Sequence, residues 1–398
     1  MKKLLLPALL FFCAAAAQAA TPKSEPLPEE LRLLSKKGID AIYAVDIPEA
    51  VRNFSAALQK YPEHPYPHFG MAMTKWATLE YLEDESDPSL EKEYGKMTDE
   101  AIEVGQAWIK KHPGDANAYL CLGGMYGLRA RLAVLQHRWI KAYFDGRKAL
   151  SYTHKSLKID PELYDAYLGL GMYEYYAGTL RGVIKVLAKL VMKGDAAKGI
   201  ELLGLCKEKG YFNALAAKLL LIEIYTTTGS PYLNTPVAVK WSKELRAVYP
   251  QHPQMHFVEI VSLYEDKQYG ESRKEAMAYL AAVNEGKPAY RRRYLPRVLT
   301  AIGTTYLVEK KYDEAADYFG RAAATLKEDP KAHPARWGVW AIVRLGNVHD
   351  LKGLRAKALE YYKEAKAYKD EWGFSESIAA YLKRPFADGE LPGQMPPP

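Results

Sequence analysis

The sequence predicts an all-α protein, an α-solenoid of stacked helix-turn-helix units, and three observations carry that expectation. The chain has 398 residues, more than one compact domain usually holds unless the architecture is elongated or repetitive. Leu299, Ile302, Gly303 and Tyr306 recur at the spacing of one helix face. The polar break "EKKYDE" follows, and Ala315, Phe319 and Ala322 then mark one face of a second helix. The whole set returns 43 residues later as Ile342, Leu345, Gly346 and His349, Gly353 at the break, then Ala358, Tyr362 and Ala365. Small residues stand where two helices would cross closely, and large ones fill the space between.

From the N-terminus, residues 1–19 read as a secretory signal peptide. Lys2 and Lys3 give the positive start, "LLLPALLFFCAAAA" the apolar run, and Ala17-Gln18-Ala19 the small residues before a cut ahead of Ala20. Cys13 follows Phe11 and Phe12, where a lipid-attachment signal needs small residues. A cleaved, soluble, periplasmic or secreted product is expected, with a retained N-terminal anchor as the alternative. No later stretch reaches about 18 uncharged apolar residues, the length of a membrane span. Residues 20–30 read as a flexible N-terminal segment and 31–372 as the solenoid. Gly38, Ala50, Phe54, Ala57 and Pro62 fit the first unit. Tyr119, Leu122, Gly123 and Tyr126 open another, and Tyr167, Leu170 and Gly171 open the next. The pattern is weakest over 178–225, and extra residues enter the units near 80–98, 127–145 and 178–195. Residues 373–398 read as a terminal helix remnant and a disordered Pro-rich tail ending "DGELPGQMPPP".

These units resemble the tetratricopeptide repeat (TPR), a helix-turn-helix element of about 34 residues, in some eight copies. The resemblance implies a stack in which each pair buries its apolar face on the next. It also implies a concave face that binds peptides or proteins, and a scaffold rather than an enzyme. Some members hold a peptide's C-terminal carboxylate with asparagines on their first helices. Here Thr304 and Gly124 occupy two of those positions and only Asn347 fits, so no such clamp is expected.

The motifs of common chemistries are missing from the sequence: no phosphate-binding loop ending Gly-Lys-Ser/Thr, no His-Glu-x-x-His and no Gly-x-Ser-x-Gly. No catalytic residue, metal site or cofactor is predicted. One motif invites a metal reading. "YPEHPYPHF" at 61–69 and "YPQHPQMHF" at 249–257 share Tyr-Pro-x-His-Pro-x-x-His-Phe. In each copy prolines intervene between the histidines, and proline is tolerated mainly in the first turn of a helix. His64 and His252 are therefore expected near helix caps, where one unit ends and the next begins. Cys121 and Cys206 fall in apolar helical surroundings, consistent either with one bridge or with two buried thiols.

The formal net charge is +7, and it is local. Residues 127–158 carry eight basic groups against the single acid Asp145. Within that block Arg129, Arg131, Arg138, Trp139, Lys141, Arg147 and Lys148 form the candidate partner-binding set, by charge pairing and cation–π contact. The competing reading is a solvated helix face with long basic stems lying over apolar surface. Arg181, Lys185, Lys189 and Lys193 stand four apart and form a candidate membrane-facing stripe. Packing of that stretch as an ordinary repeat helix is the alternative. The acid-rich run 80–100 reads as an exposed, mobile insertion. Taken together, the sequence points to an exported TPR scaffold that binds protein or peptide partners in the cell envelope and does not bind nucleic acid. Two alternatives stand beside it: an adaptor associated with anionic lipid, and a small-ligand-binding subunit of an envelope transport system.

Overall fold

One turn geometry organises the structure. At the break between the paired helices of four units, one residue takes a left-handed conformation: Val45 (φ 60°), Lys267 (φ 63°), Lys310 (φ 61°) and Gly353 (φ 74°). The last three are 43 residues apart, as the sequence pattern is. Each closes the preceding helix with the same two bonds. The Lys267 N–H reaches the Tyr264 carbonyl at 2.8 Å, and the next N–H, Gln268, reaches Leu263 at 2.9 Å. This paired capping satisfies carbonyls that a helix end leaves open and reverses the chain into the second helix.

The computed structural model describes residues 24–81, 88–136, 138–179, 194–328, 335–368 and 373–390. Among them are 17 α-helices and no strand. They form eight consecutive antiparallel pairs. The first four are α1 (Glu29–Tyr43) with α2 (Ile47–Lys60), α3 (Pro65–Tyr81) with α4 (Pro88–Lys111), α5 (Ala116–Leu135) with α6 (Trp139–Ile159), and α7 (Tyr167–Thr179) with α8 (Ala196–Lys209). The last four are α9 (Ala214–Thr226) with α10 (Thr235–Val248), α11 (Pro253–Glu265) with α12 (Tyr269–Asn284), α13 (Leu295–Val308) with α14 (Tyr312–Ala324), and α15 (Arg336–Leu351) with α16 (Arg355–Lys366). A single helix, α17 (Ser375–Lys383), packs on α16. This is the all-α solenoid of stacked helix-turn-helix units expected from the sequence.

The small residues sit where predicted. A Cβ on Gly303 would lie 2.6 Å from the Phe319 ring, and one on Gly346 would lie 2.3 Å from Tyr362. Glycine at these points lets the two helices of a unit approach across a buried aromatic ring. The continuous core follows, from Phe257 through Ile302 and Phe319 to Leu345 in the C-terminal half.

The extra residues of units two and three lengthen helices. α4, α5 and α6 have 24, 20 and 21 residues against 14 and 13 for α13 and α14. The acid-rich run departs from its expectation here, because residues 88–100 belong to α4, with Tyr94 and Thr98 fully buried. Tyr94 packs against the Trp76 ring, tilted, with ring centroids 5.3 Å apart. The inward residues of that run supply enough apolar surface to fix a helix despite the charge on its outer side. Residues 82–87 lie outside the described residues.

The superhelix also folds back on itself. Phe212, in the α8–α9 turn, packs against Tyr66 of α3 at 5.1 Å, and Arg32 of α1 lies 4.6 Å over Tyr211. Asp165 fixes that turn by accepting the Phe212 and Asn213 N–H groups at 2.8 and 2.7 Å. Tyr43, at the end of α1, meets Tyr249 beyond α10 at 6.2 Å. Part of the inner face is thus filled by the chain's own residues. At the other end, Phe386 is buried and its N–H donates to Asp350 at 2.8 Å.

Candidate partner-binding surfaces

The first helices of successive units form the inner layer, and α3, α5 and α7 touch one another in order. Their C-terminal halves, with that of α9, carry the part of the inner face that stays open. Arg131 of α5 lies 4.6 Å over the Trp76 ring of α3. Tyr176 of α7, 42% exposed, donates to the Glu223 carboxylate of α9 at 3.3 Å. Met172, one turn before Tyr176, is 40% exposed. Both Tyr176 and Glu223 keep wet surface yet have protein on several sides. That desolvation raises the Tyr176 hydroxyl well above its ordinary range, with Glu223 adding to it. It also raises the Glu223 carboxyl, against the opposing pull of Tyr176 and Arg131. Four units therefore converge on one patch with a cation, a carboxylate, a phenol and a thioether. The sequence reading missed this patch because its members are some 45 to 55 positions apart; only the superhelical register joins them.

The predicted basic block divides between two surfaces. Arg131 belongs to the inner patch. Arg129 braces the α5–α6 hairpin, donating to both Asp145 oxygens at 2.9 and 2.6 Å and to Asp99 at 2.6 Å. Burial alone would lift the Asp145 carboxyl; the Arg129 guanidinium and the Lys141 ammonium, 3.4 Å away, outweigh it and hold that carboxyl below its usual range. Arg138, Trp139, Arg147 and Lys148 are exposed around α6. Arg147 donates to the Tyr143 hydroxyl at 3.4 Å, and Lys148 lies 5.1 Å over Tyr126. Arg181, Lys185, Lys189 and Lys193 lie outside the described residues.

The two Tyr-Pro-x-His-Pro copies form the unit junctions expected. The Tyr66 N–H donates to His64 Nδ1 at 3.1 Å, and the Gln254 N–H donates to His252 Nδ1 at 3.1 Å. Each histidine caps the helix that the following proline opens. Around His64 a polar cluster has formed. Asp115 lies 3.5 Å from His64 Nε2, accepts the Trp108 indole N–H at 2.8 Å, and caps α5 through Ala118 N–H at 3.0 Å. Among the described residues no group of three or more His, Cys, Asp or Glu is placed to hold a metal ion. Cys121 and Cys206 are both buried and unpaired. Asn347 is fully buried and donates to the Tyr362 hydroxyl at 3.0 Å, which takes it out of any peptide contact.

No protein-family model and no curated protein matches the sequence. Solved structures with a similar chain trace include the APC/C hetero-tetramer Cut9–Hcn1, with TM-score 0.44 and 13% identity over 84% of this chain and 59% of that one. This chain therefore spans less than two thirds of that relative's length. Yeast Tom70 is similar at TM-score 0.40 and 12% identity, covering 90% of this chain and 89% of its own. A tetratricopeptide repeat protein from Parabacteroides merdae is similar at TM-score 0.31 and 13% identity, covering 89% and 98%.

Proposed function

We propose that the protein is a non-enzymatic scaffold of the cell envelope that binds a protein or peptide partner on its inner face. The observation that carries this reading is the convergence of Arg131, Met172, Tyr176 and Glu223 on the open part of that face. The patch offers apolar contact area with a few oriented polar groups, as peptide-recognition surfaces do. It sits on four rigid helices, so little ordering cost opposes binding. The N-terminal signal in the sequence supports export, with the mature chain starting at Ala20.

A photo-crosslinking amino acid at Met172 or Tyr176, in cells that express the chain, tests the reading. A discrete adduct from both positions is expected, lost when Arg131→Glu is added and absent from the outer position Ser151. No adduct at either inner position, or equal adducts inside and outside, refutes the inner-face assignment. N-terminal sequencing of the purified envelope fraction tests export separately: a start at Met1 in a cytoplasmic fraction would overturn it.

A further inference from the structure

The outer face of α6 stands apart from the inner patch. Its exposed positions are Trp139 and Ile140 at the start, then Phe144, and then Arg147, Lys148, Ser151, His154, Lys155 and Lys158. From Ile140 on these follow the i, i+4, i+7, i+8 sequence of a single helix face. The side chains at the front are large and open to solvent: Trp139 61%, Ile140 76% and Phe144 58% exposed. Val134, in the last turn of α5 beside them, is 43% exposed. Behind this apolar front the face carries four cations and no exposed carboxylate. The only acid in α6, Asp145, is turned inward and held by Arg129.

Two features decide what such a face fits. With α5 and α6 of 20 and 21 residues, the hairpin is longer than one built of 14-residue helices by roughly 10 Å, at 1.5 Å per residue. Its apolar front lies at the hairpin end of that long helix pair, next to the start of the cationic shaft. A tryptophan, an isoleucine and a phenylalanine beside a cationic shaft match the boundary between lipid headgroups and acyl chains, where aromatic rings settle and basic side chains pair with anionic headgroups. A protein partner would need an equally long acidic face to neutralise Arg147, Lys148, Lys155 and Lys158 together; an anionic bilayer supplies that charge at any register.

We infer that the outer face of α6 docks on an anionic lipid bilayer, with Trp139, Ile140 and Phe144 entering the headgroup–acyl boundary. This does not depend on what the inner face binds. The full chain is tested by co-sedimentation with phosphatidylcholine vesicles with and without phosphatidylglycerol. Binding to the anionic vesicles is expected to exceed binding to neutral ones by about tenfold or more, given about 1 kcal/mol for each basic group near the surface. The variant Trp139→Ser/Ile140→Ser/Phe144→Ser should weaken binding by about tenfold or more, and Arg147→Ser/Lys155→Ser/Lys158→Ser separately by about a hundredfold, with unchanged far-UV circular dichroism. A second readout uses Ile140→Cys in the chain from Ala20, which excludes Cys13, labelled with an environment-sensitive dye; the label is selective because the remaining Cys121 and Cys206 are fully buried. Its emission should shift to the blue on addition of anionic vesicles. Wild-type binding that survives both triple variants but is lost on Lys185→Glu/Lys189→Glu overturns the assignment and moves it to that stretch. An unmoved dye with every vesicle overturns it too and leaves the face to a protein partner.

Discussion

Acid should loosen this solenoid in a window set by two histidines, His252 that caps α11 and His256 within it. His252 and His256 are 1% and 2% exposed. Burial lowers the first from 6.5 to about 4. Burial, then Arg246 and Lys287, against an opposing pull from Glu275, lower the second to about 3. His252 Nδ1 accepts the Gln254 N–H, and His256 Nδ1 lies 3.0 Å from the Tyr290 hydroxyl, so a proton there removes an acceptor as well as burying a charge. The unfolded chain takes up these protons near pH 6.5 and the folded chain does not, so stability is complete above that pH and falls as pH drops towards 4. At pH 5, about 1.5 units below the unfolded value and at about 1.4 kcal/mol per unit, each histidine removes about 2 kcal/mol and the pair about 4. Glu259 on the same helix works the other way, because burial and Glu275 raise its carboxyl. Comparison with a variant cancels that contribution. His252→Asn keeps a capping side chain without a titrating ring, and His256→Gln keeps a polar partner for Tyr290. Urea unfolding at pH 7, 6 and 5 should show the parent losing about 4 kcal/mol more than the double variant over that range. Parallel pH profiles for the two proteins would refute the assignment of neutral buried imidazoles.

Three further outcomes are expected. Asp115→Ala removes the α5 cap and the Trp108 bond, and should cost about 2–4 kcal/mol in thermal or urea unfolding. Because the bonds from His64 and Trp108, set against burial, hold the Asp115 carboxyl below its ordinary 3.8, the stability it contributes is present above that pH and is lost only below it, outside the pH 5–7 range of the histidine comparison. Val45→Gly should stabilise by about 0.5–1 kcal/mol, since a β-branched residue in the left-handed region is strained; no gain in melting temperature would contradict the turn assignment. In the chain from Ala20, which excludes Cys13, Cys121 and Cys206 should both resist a thiol reagent when folded and both react in guanidinium, and a single reactive thiol under native conditions would refute their burial.

The pair architecture was legible because its cause is local. A face at i, i+3, i+4, i+7 and a small residue opposite a large ring, as at Gly303 and Phe319, are one-dimensional signals of a three-dimensional crossing. The prolines at 65 and 253 likewise marked helix starts, and they placed His64 and His252 at the caps. Charge density was a poorer guide. The run 80–100 has nine acids, yet Tyr94 and Thr98 anchor part of it in a helix, because burial of alternate turns outweighs the repulsion on the outer face. The basic block was visible as composition, but its division was not: Arg129 turns to Asp145, Arg131 turns to the inner face, and Arg147 and Lys148 turn outward. Those choices depend on helical phase after the hairpin is closed. The inner patch depends on superhelical pitch, which no short window of sequence contains.

The two Tyr-Pro-x-His-Pro copies show how far a motif reaches. The cap is the same in both, at 3.1 Å from the second residue beyond the histidine. Everything outside the backbone turn differs. His64 faces the Asp115 carboxylate, whereas burial leaves His252 with a strongly lowered affinity for protons. His68, the second histidine of the first copy, lies 2.7 Å from the Pro62 carbonyl and is partly exposed; His256, its counterpart, is buried between α10 and α12 residues. Proline and histidine at fixed spacing set where one unit ends and the next begins. The neighbours brought by the next turn of the superhelix then set the electrostatics. The capping histidine meets the Asp115 carboxylate in the first copy. In the second, burial holds both imidazoles uncharged, His256 even with the Glu275 carboxylate 3.4 Å away.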